Sequence, residues 1–158
     1  MINALRRNPF FMKLFINTYA PYVGAGVKVT RLDIEQGAID VVMPLTRFNK
    51  NYVGTQFGGS LYSMVDPFLM LILINRLGKQ YVVWDKAASI DFKAPGRGTV
   101  KAEIRISDAE IASIIEAAAE GKAVLRTYPV EIRDDSGLLI CQVDKVLYIR
   151  KKREATTP

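Results

Sequence analysis

The segment from Gly58 to Leu77 is too apolar for a surface and too interrupted for a membrane, so the rest of the chain must be arranged around it. Phe68 to Ile74 is a run of seven consecutive apolar residues, and Leu61, Met64 and Val65 precede it. A membrane span wants about 20 predominantly apolar residues. Here Asp66, Pro67, Asn75 and Arg76 intervene. A helix that is apolar nearly all round is otherwise a buried one, and Gly78 supplies its stop. The pattern predicts a long helix from Gly58 to Leu77, wrapped by sheet. Leu61, Val65, Phe68, Leu69, Ile72 and Leu73 should be buried, with a bend or irregular start near Pro67.

The flanking sequence reads as strands. Val27 to Ile34 and Ala38 to Met43 are joined by Glu35-Gln36-Gly37, a hairpin turn signal. Gln80 to Phe92 is strand-like and leads into a turn at Pro95-Gly96-Arg97-Gly98. Val100, Ala102, Ile104 and Ile106 alternate with Lys101, Glu103 and Arg105, the mark of a half-buried strand. Asp108 is placed to cap a helix from Ala109 to Ala119, stopped at Gly121. Lys122 to Arg133 and Leu138 to Ile149 form a last hairpin. Near the start, a short amphipathic helix spans about residues 9–19, with Pro9 in its first turn. The length of 158 residues suits a single α+β domain with a basic tail over 150–158.

Composition removes whole mechanisms. With no histidine, neither a Ser-His-Asp nor a Cys-His arrangement can be built, and no His-based zinc site either. The lone Cys141 cannot form a disulfide within the chain and reads as a small core residue. No metal is expected. Lys13 breaks the only apolar run near the N-terminus, so a secretory signal is not expected and the location is read as cytoplasmic. The net charge of +6 raises nucleic acid as a partner. The basic residues are spread along the chain, however, except for Arg150-Lys151-Lys152-Arg153, which is most simply a solvated tail. No interleaved aromatic and basic motif supports nucleic-acid binding.

The helix opens on a dense polar and glycine motif: Asn51, Gly54, Phe57-Gly58-Gly59 and Asp66-Pro67. Asn51 lies seven residues before Gly58, and Asp66 eight after it. This stretch resembles the signature of small hotdog thioesterases of the phenylacetyl-CoA type: Asn, Gly, His-Gly-Gly, then a helical Asp. The match holds at Asn51, Gly54, Gly58, Gly59 and Asp66, and departs at Phe57, where that family usually has His. The wider context includes Val83-Trp84 and Ile90-Asp91-Phe92 followed by Pro95, and it resembles a thioesterase-like branch of that superfamily. The resemblance spans roughly Val27 to Ile149. It implies the hotdog fold, a curved antiparallel sheet around a central helix, and the order of two strands, helix and four strands agrees.

The resemblance also implies roles. Asp66 is the general base toward water, or a nucleophile forming a mixed anhydride. Asn51 orients the water or the thioester carbonyl. Gly58 and Gly59, at a helix start with unpaired N–H groups, receive a developing oxyanion. Phe57, Trp84, Asp85 and Arg97 are candidate substrate contacts, Arg97 toward a cofactor phosphate. No cofactor is expected beyond the coenzyme A moiety of an acyl-CoA substrate, for which the basic residues would form a rim. Phe57 in place of His would dry the pocket and raise the Asp66 pKa if that carboxylate lacked polar partners.

On one helix, Gly59 and Asp66 lie about 10 Å apart along the axis. One helix therefore cannot easily put both on the same carbonyl, whereas a two-fold dimer can. The chain is expected to be its own partner, as a homodimer or dimer of dimers, joined through the Gln80 to Phe92 strands. Plainer readings stand beside these. The two glycines permit close packing, Asp66 is a cap at the proline, Asn51 stabilises its loop, Phe57 and Trp84 only pack, and Arg97 is solvated. The functional readings are an acyl-CoA thioesterase and a non-catalytic acyl or acyl-CoA binding protein.

Overall fold

The computed structural model describes residues 8–152. The elements run α1 (Pro9–Thr18), α2 (Ala20–Ala25), β1 (Lys28–Asp33), β2 (Ala38–Met43), α3 (Gly58–Ser63), α4 (Phe68–Leu77), β3 (Tyr81–Phe92), β4 (Val100–Arg105), α5 (Asp108–Ala117), β5 (Ala123–Asp134) and β6 (Leu139–Lys151). The strands form one six-stranded sheet in the order β1-β2-β4-β5-β6-β3, with every neighbouring pair antiparallel. Along the chain, two strands, the central helical segment and four strands follow one another as the sequence led us to expect, and the architecture is the hotdog fold.

The central segment does lie in the core. Leu61, Val65, Phe68, Leu69, Ile72 and Leu73 are all buried, as their spacing predicted. It is not one helix, however. Proline has no N–H to continue the ladder, so α3 ends at Ser63, capped by Met64, and α4 begins at Phe68. Asp66 sits in the break, and the Asp66–Pro67 peptide bond is cis. By length and composition, Gly58–Leu77 would pass for a membrane span of 20 residues, but half of it is buried inside the protein.

Local chemistry explains the edges. The Asn8 side chain caps α1 by accepting from the Phe10 N–H at 3.0 Å. The Asn17 amide then exchanges two hydrogen bonds with the Val29 backbone, at 2.8 and 3.0 Å, tying α1 to β1. The β1–β2 turn needs Gly37: its φ is 64°, and an added Cβ would sit 2.1 Å from the Ile106 carbonyl oxygen. Ser107, not Asp108, caps α5, because its hydroxyl reaches the Glu110 N–H, and the helix starts one residue early at Asp108. The expected tail is also shorter, since Arg150 and Lys151 close β6. The remainder of the tail, 153–158, lies outside the described residues.

The strand β3 forms one edge of the sheet, twelve residues long. From Lys86 to Ser89 every residue is exposed, on both faces of the strand. A long unprotected edge is a template for pairing with another chain.

Core burial gives a direct test. Ile72 has no exposed surface, whereas its helix neighbour Ile74 is exposed. Ile72→Ala is expected to cost about 2–5 kcal/mol in urea denaturation, and Ile74→Ala about 0.5 kcal/mol or less. Equal losses would contradict the placement of α4.

Candidate functional site

The break between α3 and α4 delivers Asp66 to a cluster built around Lys145 of β6. The Lys145 ammonium donates to Asp66 Oδ1 at 2.7 Å and to the Tyr62 hydroxyl at 2.9 Å, and lies 3.1 Å from Asp85 Oδ1. Its side chain is 1% exposed, against 42% for Asp66 and 24% for Asp85. The contact with Asp85 is an ion pair off hydrogen-bond geometry, since Asp85 Oδ1 is buried without a hydrogen-bond partner. The Tyr22 hydroxyl donates to the Asp66 carbonyl at 2.6 Å and fixes the backbone of the break.

The electrostatics follow from one cation shared by two carboxylates. Burial alone would lower the Lys145 pKa, but its bonds to Asp66, Tyr62 and Asp85 outweigh that and hold the ammonium above its ordinary value. Burial raises the Asp85 pKa; Lys145 pulls it back, and the neighbouring Asp66 carboxylate pushes it up again. Burial and the Asp66 charge both raise the Tyr22 phenol. Asp66 is therefore not a partnerless carboxylate.

Asp66 opens on a large apolar groove of about 1050 Å³. Phe11 and Phe15 of α1, Tyr19 beyond it, and Phe68, Leu71 and Ile74 of α4 are among its apolar lining residues. Ser63, Asp66 and Asn75 are among its few polar lining residues. A mostly apolar cleft with a few convergent polar groups is the usual form of a small-molecule site.

The other candidates lie elsewhere on the protomer. Asn51 and Gly58 line a second pocket of about 490 Å³, with Thr55, Gln56, Phe92 and the turn at Pro95 and Gly96. The Asn51 side chain is engaged within its own loop, donating to Thr55 Oγ1 and the Gln56 carbonyl and accepting from the Val53 and Thr55 N–H groups. Gly58 and Gly59 precede the first intrahelical bond, from the Leu61 N–H to the Phe57 carbonyl. Their N–H groups have no helical acceptor. Each glycine is also roofed by a ring: a Cβ on Gly58 would meet Phe92 at 2.9 Å, and one on Gly59 would meet Phe57 at 2.6 Å. Trp84 is exposed on β3 and stacks on Tyr148 with ring centroids 4.1 Å apart. Arg97 is exposed in its turn. The structure thus joins Asp66 with Asp85 and places Asn51 with Gly58, but does not join the two sets within the chain.

Sequence reasoning missed Lys145 and Tyr62. The signal for Lys145 was present: Cys141, Val143, Lys145, Leu147 and Ile149 alternate along β6, and all are buried. Side chains two apart on a strand share a face, so a lysine in that series had to point inward. Cys141 itself is a core residue, its thiol pushed up to about 12 by burial.

Comparison with known proteins follows the geometry. The family model described as a domain of unknown function, DUF4442, matches residues 9–149. No curated protein matches the chain. A solved protein of unknown function from Pseudomonas aeruginosa, described as a probable thioesterase, is similar with a TM-score of 0.78 at 17% identity, covering 91% of this chain and 96% of that one. A thioesterase from Haemophilus influenzae has a TM-score of 0.65 at 14% identity, covering 95% of each chain. A mutant thioesterase from Pseudomonas aeruginosa has a TM-score of 0.67 at 11% identity, covering 92% of this chain and 96% of that one. What is shared at these identities is the hotdog fold.

The raised Lys145 pKa has a sign. A cation whose folded pKa exceeds its unfolded one contributes stability that is complete below the unfolded value, about pH 10.4, and is lost as pH rises through the folded value. The stability difference between the wild type and Lys145→Met is expected to be flat from about pH 8 to about pH 10 and to shrink above that. A difference unchanged to about pH 11.5 would refute the buried ion pair.

Proposed function

We propose a function from two premises: the chain belongs to the DUF4442 family, and its fold is that of solved thioesterases. It is an acyl-CoA thioesterase. The observation that carries this reading is a carboxylate, Asp66, set at the wall of a large apolar groove and backed by a buried cation. The groove takes the acyl chain, and its apolar wall favours apolar acyl groups. Asp66 Oδ1 is held by Lys145, and among the described residues no donor bonds Oδ2.

In the proposed reaction, Asp66 takes a proton from water as the water oxygen bonds to the thioester carbonyl carbon. The carbonyl electrons move to oxygen and form the oxyanion. The C–S bond then breaks as the carbonyl reforms, and the sulfur leaves as a thiolate that takes the proton back from Asp66, which regenerates the carboxylate. The products are a free acid and a thiol. The oxyanion faces N–H groups of Gly58 and Gly59 contributed by a second copy of the chain, which answers the separation of Asp66 from Gly58 within one protomer. Asn51 lines the same pocket as that donor, Phe57 packs on Gly59, Trp84 is a further substrate contact from β3, and Arg97 with its exposed turn receives the coenzyme A phosphates. The exposed edge of β3 supports pairing of two copies there.

A second reading has its own support. The Asn51 amide is spent in its loop, and Asp66 Oδ1 is already engaged by the Lys145 ammonium. A non-catalytic acyl-CoA binder would look the same.

Two measurements decide. A panel of acyl-CoA substrates read by thiol release is expected to show turnover, with Asp66→Asn reducing it about 10²–10⁴-fold. Full turnover by Asp66→Asn would end the mechanism, and tight acyl-CoA binding without turnover would select the binder. Sedimentation at micromolar concentration is expected to show a dimer, and a stable monomer would sink the shared site.

A further inference from the structure

We propose that Lys145 is the positioning residue of this site: a fully buried cation that holds Asp66 as an oriented carboxylate, with Asp85 as the second carboxylate sharing that cation. The proposal rests on the thioesterase reading for its role in turnover, but not for its geometry.

An ammonium taken out of water costs several kcal/mol even after relaxation. Such a group stays charged only if anions and acceptors surround it. Around Lys145 they come from three elements: Tyr62 from α3, Asp66 from the break before α4, and Asp85 from β3. The other titratable group against the cluster is Tyr22 of α2, bonded to the Asp66 backbone rather than to its carboxylate. The neighbours of Lys145 on its own face of β6, Val143 and Leu147, are apolar and buried, so β6 supplies no competing charge to that face.

Lys145 does not touch the groove, whose lining includes Asp66 but not the lysine. Its influence on an acyl group must pass through Asp66. Engaging Oδ1 fixes the carboxylate and leaves Oδ2 for water or a thioester carbonyl. The cation also offsets the repulsion between two neighbouring carboxylates. Without it they would behave as like charges sharing a site, and one would hold its proton to higher pH. Their titration then belongs to the pair rather than to either residue.

The experiment is a ¹³C-carboxyl NMR titration of the Asp66–Asp85 pair in the wild type, Lys145→Met and Lys145→Met/Asp85→Asn, with acyl-CoA turnover measured over the same pH range. In Lys145→Met the upper apparent titration of the pair is expected to rise by about 1–3 pH units, and the acid limb of turnover with it. Adding Asp85→Asn should reverse most of that rise, a rescue that lost packing would not show. A pair titration unmoved in Lys145→Met overturns the proposal. So does a uniform loss of turnover with an unmoved acid limb. If the titration shifts as expected while no variant turns over acyl-CoA, the thioesterase reading fails and the electrostatic role stands. Should Lys145→Met fail to fold, Asp85→Asn alone decides. Lys145 sits within 3.1 Å of a carboxylate oxygen of both residues, so removing the Asp85 charge leaves the cation to Asp66 alone. The carboxyl that remains in Asp85→Asn is then expected to titrate below the upper step of the wild-type pair, and a titration unchanged from that step overturns the shared cation.

Discussion

A lysine ammonium with almost no exposed surface dictates much of what surrounds it. It stands in a stripe of β6 that is otherwise Cys141, Val143, Leu147 and Ile149. Asp144, next to it on β6, points to the opposite face and accepts from Gln142, so the compensation must come from elsewhere in the chain. Tyr62, Asp66 and Asp85 are 83, 79 and 60 residues away in sequence. The cluster therefore ties the last strand to α3, to the helix break and to the edge strand. Removing one partner of such a buried set leaves a charge uncompensated, which is far costlier than never having built it.

The helix break has two consequences that meet at the same place. Proline interrupts the ladder, and the residue before it keeps a helical bond from its N–H to the Tyr62 carbonyl while its own carbonyl is left for another partner. The Asp66 carbonyl accepts from Tyr22 of α2, and the Asp66 carboxylate accepts from Lys145 of β6. One residue thus joins the N-terminal helices to the far side of the core. The N-terminal helices in turn form the opposite wall of the groove, held against β1 by the paired bonds between Asn17 and Val29. The groove exists because α1 is anchored at its polar end while Phe11 and Phe15 are left uncovered.

What could be read from the sequence divides along physical lines. Burial of the central segment was legible because a run with no polar face has nowhere else to go. The strands were legible where polar and apolar residues alternate, as in β4. The cap of α5 was misplaced by one residue because Ser107 and Asp108 are both good caps, and only geometry selects the one that reaches Glu110. Lys145 was overlooked because a lone lysine in a strand is ordinarily solvated, although its parity put it inward. Its partners could not have been assigned from spacing at all, since sheet topology alone brings them together. The proximity of Asp85 to Asp66 is likewise a product of the β3–β6 register, which shifts between Asp85 and Ala87.

Under the proposed function, the two pockets of a protomer are halves of different sites. Phe92 bears on this. It ends β3, the unprotected edge, and its ring also roofs Gly58 and lines the second pocket. Pairing two chains along β3 would therefore act on the strand that carries the roof of the glycine donors. Assembly and completion of the site would then be one event, so a protomer alone would hold a positioned carboxylate without an oxyanion partner. The buried cation makes that arrangement tolerable. A carboxylate left facing an apolar groove in an unassembled chain would be costly without a counter-charge, and Lys145 supplies one from within the same chain.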